Sequence, residues 1–164
     1  MRQIIIIRHA IAADAQANMS DADRPLTEKG LRRMTRAVRG LTRVVPEIAL
    51  VASSPLLRAV QTAEIVTTTF GGCPLVITEA LTPDAEPDEL LDFLAAQEGR
   101  APIACVGHEP GLSRWVAWAM CGHRQSSLRL KKGAACCLNM TQPLAADQGE
   151  LQWLLQPRQL RALR

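Results

Sequence analysis

Lysine is scarce in this chain. It occurs only at Lys29, Lys131 and Lys132, and arginine supplies the rest of the positive charge. Arginine meets phosphate and carboxylate oxygens with paired donors, so the bias is compatible with anionic partners. A genome that encodes arginine easily would leave the same mark. The net charge of +3 is too small an excess to argue for nucleic acid. Long hydrophobic runs are also missing. The apolar stretch at Ile4 to Ile7 is too short for a secretory core and lacks a small-residue cleavage site. Nothing approaches the roughly 20 apolar residues of a membrane span. Cysteine is present but unpatterned. Cys73, Cys105, Cys121, Cys136 and Cys137 are odd in number, and no spacing is a zinc pattern. Cys121 and His123 lie close together, but no second ligand pair accompanies them. The reading is buried or idle thiols in a reducing cytoplasm, with no metal, no cofactor and no membrane association. Low-complexity segments, long linkers and internal repeats are absent.

What is present is an alternation of short apolar runs with longer periodic segments. The 164 residues, 48% of them hydrophobic, suit one domain spanning 1–164 with one full core. The alternation reads as α/β. Ile4-Ile5-Ile6-Ile7 is a β-branched run expected of a strand buried on both faces. Further strands are expected at 48–52, 75–77, 103–106, 134–138 and 151–155. The last two are linked too closely for a helical crossover, so they should pair antiparallel. Thr27 can cap a helix running to about Val44, with Leu31, Met34, Val38 and Leu41 on its apolar face. Arg32, Arg36, Arg39 and Arg43 form a second stripe, read as a solvated face. Ser54-Pro55 looks like a cap followed by proline at the first helical position. Pro87-Asp88-Glu89 opens a third helix, with acidic groups at its positive end. Leu112, Trp115, Val116 and Ala119 mark a fourth, closed by Gly122. Spacing puts Trp115 in the core and leaves Trp118 open between core and pocket. A short helix or turn follows Pro157.

Three polar clusters interrupt this scaffold, each directly after an expected strand. Arg8-His9 follows the first, Ser53-Ser54-Pro55-Leu56-Leu57-Arg58 the second, and Gly107-His108-Glu109-Pro110 the fourth. Ligands of open α/β sheets bind beyond the carboxyl ends of the strands, so parallel strands would gather all three clusters on one rim. Two of the three histidines sit there. Neutral imidazole is abundant near pH 7 and is a competent nucleophile. Phosphoryl transfer depends mostly on positioning and charge neutralisation, which arginines and a second histidine can supply. A helix starting at Ser54-Pro55 would add a positive dipole end.

These residues resemble the histidine phosphatase superfamily, whose fold is that of phosphoglycerate mutase. Arg8-His9-Ala10 is similar to its signature, with Ala10 where glycine is usual. Arg24-Pro25-Leu26-Thr27-Glu28-Lys29-Gly30 matches the following block. The most specific stretch is Ser53-Ser54-Pro55-Leu56-Leu57-Arg58-Ala59-Val60-Gln61-Thr62-Ala63. Val106-Gly107-His108-Glu109-Pro110-Gly111-Leu112-Ser113 is the second histidine block. The resemblance covers nearly the whole chain, and the absence of a large insertion resembles the SixA branch. It implies a three-layer α/β/α sandwich around a mostly parallel sheet. It also implies a phosphatase with His9 as nucleophile and with Arg8, Arg58 and His108 binding the phosphoryl group, His108 also stabilising the transition state. Many members of the superfamily carry an acid after the third strand that protonates the leaving group. Here Ala80 stands where the branch often has glutamate, and Glu79, Asp84, Glu86 or none of them could serve.

The expected substrate is a phosphohistidine-containing protein, and a monomer is assumed. A phosphomonoesterase or mutase acting on a small metabolite, and a phosphate-binding module without catalysis, are the alternatives. An assay with an artificial aryl phosphate separates the module from both enzymes.

Overall fold

Four consecutive isoleucines have no polar side, so they fit only a strand covered on both faces. The computed structural model, which describes residues 1–97 and 99–163, puts them there. Strand β1 (Arg2–Arg8) lies inside a six-stranded sheet with β2 (Leu50–Ser53), β3 (Leu75–Ile77), β4 (Ile103–Gly107), β5 (Ala135–Met140) and β6 (Gly149–Leu155). The order is β3-β2-β4-β1-β5-β6. The first four strands in that order are parallel; β5 runs antiparallel to β1, and β6 antiparallel to β5.

Because side chains alternate along a strand, the isoleucines divide between two cores. Ile5 and Ile7 join α1 (Glu28–Leu41), α2 (Leu57–Thr69) and α5 (Pro157–Leu160) on one face. Ile4 and Ile6 join α3 (Pro87–Ala95) and α4 (Gly111–Cys121) on the other. This is the expected three-layer α/β/α sandwich. No helix among the described residues is long and apolar enough to cross a membrane.

The helix boundaries show what local pattern sets and what tertiary contact overrides. Thr27 caps α1 as expected, accepting from the Gly30 N–H at 2.9 Å. The helix ends at Leu41, short of Val44. Its buried face runs through Gly30, Met34, Ala37, Val38 and Leu41, whereas Leu31 is exposed. The reason is close approach: a Cβ on residue 30 would overlap the Ile11 carbonyl oxygen. That contact rotates Gly30 inward and Leu31 out. The Arg32, Arg36, Arg39 and Arg43 stripe is solvent-exposed. Gly122 closes α4 in the left-handed conformation at φ 69. Trp115 and Trp118 are both buried in the second core.

One boundary is corrected. Ser54 is not the cap of α2, which begins three residues later, after Leu56. At the far end of β1, the buried Arg2 guanidinium gathers carbonyls at the C-terminal end of α3. It donates to Leu94 O at 2.5 Å, Arg100 O at 3.1 Å and Gln97 O. Leu94 lies in the last turn of α3 and Gln97 and Arg100 follow its end, so the cation sits at the negative end of the helix. Burial pushes the Cys105 and Cys136 thiols up to about 12 and Cys137 up to about 11, so they stay protonated.

Candidate active site

Strand register sets the two rim histidines side by side. Arg8 is the partner of Gly107 in the parallel β1–β4 pair. His9 and His108, each one residue further on, therefore leave adjacent strands at the same level. The His9 N–H continues the ladder onto Gly107 O at 3.1 Å. The ring centroids are 5.0 Å apart and the planes are tilted by 50°. Both side chains are buried, at 5% and 3% exposure. On the other side of β4, Ser53 pairs with Val106, which brings Ser54 to His108. Its Oγ lies 2.9 Å from His108 Nε2. That bond, together with acceptance from the Leu56 N–H at 3.3 Å, occupies the hydroxyl that sequence pattern assigned to a helix cap.

Both arginines are near enough to this pair to act on its charge. Arg58 lies on the first turn of α2 at 4% exposure. Its Nη1 and Nη2 donate to the main-chain oxygen of Asp21 at 2.7 Å and to Asp21 Oδ2 at 3.0 Å. Asp21 is also ion-paired with Arg24, Oδ1 to Nε at 3.0 Å, and its carboxyl is held below the usual range chiefly by the Arg58 hydrogen bond. Half-buried Arg8 donates from Nη1 to Leu130 O at 2.7 Å. The Nε atoms of Arg8 and Arg58, and Nδ1 of His108, are buried without a hydrogen-bond partner. Buried polar atoms are normally paired, so an unmet set around two rings suits a polyoxygenated anion.

The protonation state of His9 follows from its neighbour. Nδ1 is 2.7 Å from Ala10 O. A carbonyl oxygen only accepts, so Nδ1 carries the hydrogen and Nε2 of the neutral ring keeps its lone pair. Burial lowers His9 to about 4, with Arg58, Arg8 and Lys132 adding to the effect and the Ala10 bond opposing it. His108 falls to about 3, again first through burial and then through His9 and Arg58. Both rings are uncharged at neutral pH.

The motif residues around them hold the geometry. Thr62 Oγ1 accepts from the Ala10 N–H at 3.1 Å and donates to Arg58 O at 2.7 Å. Gln61 Oε1 accepts from the Leu26 N–H at 2.7 Å. The helix that carries Arg58 thereby also fixes the backbone just after His9. Glu109 accepts from Ser113 Oγ at 2.6 Å and, on its other oxygen, from the Leu130 N–H at 3.2 Å. Leu130 is the residue whose carbonyl holds Arg8.

The structure thus brings His9, Arg8, Arg58 and His108 together. It does not bring Glu79 or Asp84 to the rings by any hydrogen bond or ion pair of their carboxylates among the described residues. Glu79 opens a 3₁₀ turn, Glu79–Leu81, and is exposed, as is Asp84. Glu86 lines a small cavity together with His108, but Arg124 holds its carboxylate at 2.6 Å and Arg114 at 3.5 Å. Sequence reasoning missed Asp21, and gave no task to Thr62 or Glu109 although both lie in the recognised blocks. Among the described residues, no group of three or more His, Cys, Asp or Glu side chains is placed to hold a metal ion.

Comparison with known proteins agrees with this fold. Residues 4–82 match the family model of the histidine phosphatase superfamily, branch 1. An uncharacterised protein of Picosynechococcus sp. is 35% identical over 135 residues, 79% of this chain and 80% of its own. The structure of the protein histidine phosphatase SixA complexed with tungstate superposes with a TM-score of 0.84 at 28% identity, covering 96% of this chain and 99% of that one. The alpha-ribazole phosphatase of Shigella flexneri shares the fold at a TM-score of 0.75 and 20% identity, over 94% and 96% of the two chains. An α/β sandwich with paired histidines and two arginines at one rim is the framework of a phosphatase, and the chain belongs to the histidine phosphatase superfamily. Within that superfamily it is SixA-like, matching SixA over nearly the full length of both chains.

Proposed function

We propose that the protein hydrolyses phosphohistidine carried on another protein, through a phosphoryl-enzyme intermediate at His9 and without a metal ion. The observation that carries this reading is the His9 ring itself. It is neutral, its hydrogen is committed to Ala10 O, and its free Nε2 belongs to a ring that faces His108 at 5.0 Å within reach of two arginines. His9 Nε2 attacks phosphorus and the substrate's P–N bond breaks. A substrate imidazole protonated on its other nitrogen takes the bonding pair and leaves as a neutral molecule. Water then attacks phosphorylated His9, inorganic phosphate departs and the neutral ring is restored. Arg8 and Arg58 neutralise the phosphoryl oxygens, and His108 stabilises the charge that develops in the transition state. The tungstate of the SixA complex is an oxyanion of phosphate-like shape, which supports an oxyanion site in that relative.

The preference for a phosphoramidate rests on the acids. An alkoxide leaves poorly without a proton donor, whose contribution is about 10²–10⁴-fold. Glu79 is exposed, Glu86 is ion-paired, and the lowered carboxyl of Asp21 is a weak donor at neutral pH. Catalytic efficiency should therefore be much higher on a phosphohistidine protein than on sugar phosphates, and a chelator should leave it unchanged. The wild type should form an acid-labile phosphoryl-enzyme that maps to His9, and His9→Ala should abolish turnover in a folded protein. Strong turnover of sugar phosphates that collapses in Glu79→Gln would move the assignment to a metabolite phosphatase.

A further inference from the structure

Beside the histidine pair, between α1, the turn at 131–133 and α5, lies a cleft of about 210 Å³. Its walls carry Arg33, Lys131, Lys132, Arg158 and Arg161, and no carboxylate. Met34 and Ala37, both buried, contribute apolar lining. Among the described residues none of the five cations forms an ion pair with an acid. Two of the chain's three lysines are here, in a protein whose net charge is only +3. Arg33 lies close enough to Arg161 to lower its affinity for protons, after partial burial and together with Arg36 on the same helix face. Assembling like charges around a concave surface costs free energy unless an anion joins them.

The cleft adjoins the rim that carries His9. Ala10, which follows His9 in the chain, lines it. Lys132 is near enough to His9 to lower its ring's affinity for protons. The Gly133 N–H donates to the carbonyls of both Arg8 and His9 at 3.1 Å. Anything held in the cleft lies alongside whatever is being dephosphorylated. Arg33, Lys131, Lys132 and Arg158 are exposed on flexible stems, which fits carboxylates presented on a surface better than a small molecule enclosed on all sides.

We propose that this basic cleft docks an acidic segment of the phosphohistidine-bearing substrate protein, so that the phosphoryl group is delivered to His9 by a second, electrostatic contact. The assignment rests on the function proposed above. Aspartates and glutamates on the substrate would enter between α1 and α5, their carboxylates taken by the cations and their methylenes laid against Met34 and Ala37. Contacts of this kind act mainly on encounter and are weakened by salt.

The test combines kinetics with a binding measurement that needs no chemistry. In Arg33→Glu/Arg161→Glu, KM for a phosphohistidine protein should rise by about tenfold or more with kcat within about twofold, and the salt dependence of kcat/KM should flatten. Hydrolysis of free phosphoramidate should be unchanged. A fluorescent oligoglutamate peptide should bind the wild type in an anisotropy titration and be released in the variant. Arg33→Ala/Lys131→Ala, which alters only exposed positions, guards against a folding defect and should shift KM and peptide binding in the same direction. Unchanged KM and salt dependence, or peptide binding that ignores these substitutions, would overturn the docking site. So would an equal loss on free phosphoramidate, or displacement of the peptide by inorganic phosphate at the low concentrations that mark a dedicated small-anion pocket. If the wild type fails on phosphohistidine proteins altogether, the proposed function falls, while the peptide titration still decides whether the cleft takes acidic chains.

Discussion

At the scale of single residues, the candidate site holds its two imidazoles neutral. The kcat/KM of a group-transfer enzyme reports ionisations of the free enzyme. With His9 lowered to about 4 and His108 to about 3, its acid limb should fall near pH 4 rather than near the ordinary histidine value of 6.5. The measurement is a pH profile of kcat/KM corrected for the substrate's own ionisation; a limb at 6.5 would mean that His9 is solvated. Thr62 offers a second test. Its hydroxyl is fully buried and is the acceptor for the Ala10 N–H. Thr62→Val keeps the shape and strands that donor, so stability should fall by about 1–3 kcal/mol. The cost in rate should appear in kcat more than in KM, because the backbone that orients His9 loosens while the arginines stay. Denaturant melts and steady-state kinetics on the same sample check both halves.

At the scale of elements, helix propensity and packing can point in opposite directions. Replacing glycine by alanine inside a helix usually stabilises it by up to about 1 kcal/mol. Gly40, near the end of α1, is the opposite case, because a Cβ there would overlap the carbonyl oxygen of Leu160 in α5. Gly40→Ala should therefore destabilise the protein by about 1–3 kcal/mol, read as a lowered unfolding midpoint. The same competition explains what was legible in the sequence. Strands buried on both faces announce themselves as β-branched runs, and polar clusters after them mark the rim, so His9, Arg58 and His108 could be found without coordinates. The α2 boundary was misread because Ser54-Pro55 carries local cap chemistry, whereas tertiary structure needs the Ser54 hydroxyl for His108. Leu31 was misplaced because the inward face of α1 is set by a backbone contact at Gly30 rather than by hydrophobic spacing. Asp21 was invisible for another reason. It lies 37 positions from Arg58 in a turn with no apolar period, and only the topology joins the two.

At the scale of the whole molecule, the buried rings tie stability to pH. Their folded affinities for protons lie below the unfolded value of 6.5. Above that pH neither state takes up the proton, and the rings cost nothing. Between 6.5 and about 4 the unfolded chain binds protons that the native rings refuse, so stability should drain at about 1.4 kcal/mol per pH unit for each ring. Asp21, whose folded value lies below the usual 3.8, keeps its contribution above 3.8 and loses it only as pH falls through its folded value. Urea melts from pH 7.5 to 4.5 should show the slope, and His9→Ala/His108→Asn should flatten it. The run Ile4 to Ile7 carries one further consequence. A central strand with the same side chain at four successive places holds no record of which face is which. Sliding it one residue, about 3.3 Å, would still put isoleucine in three of the four core places, with Gln3 or Arg8 in the fourth, and would move His9 out of step with His108. Alignment must therefore be enforced from the ends of the strand. At one end Gly133 clamps the carbonyls of Arg8 and His9; at the other Arg2 is anchored on Leu94 O in the last turn of α3 and on Arg100 O beyond it. Arg2 is thus a distant vernier stop, fixing the level of the His9 ring from the opposite end of the same strand.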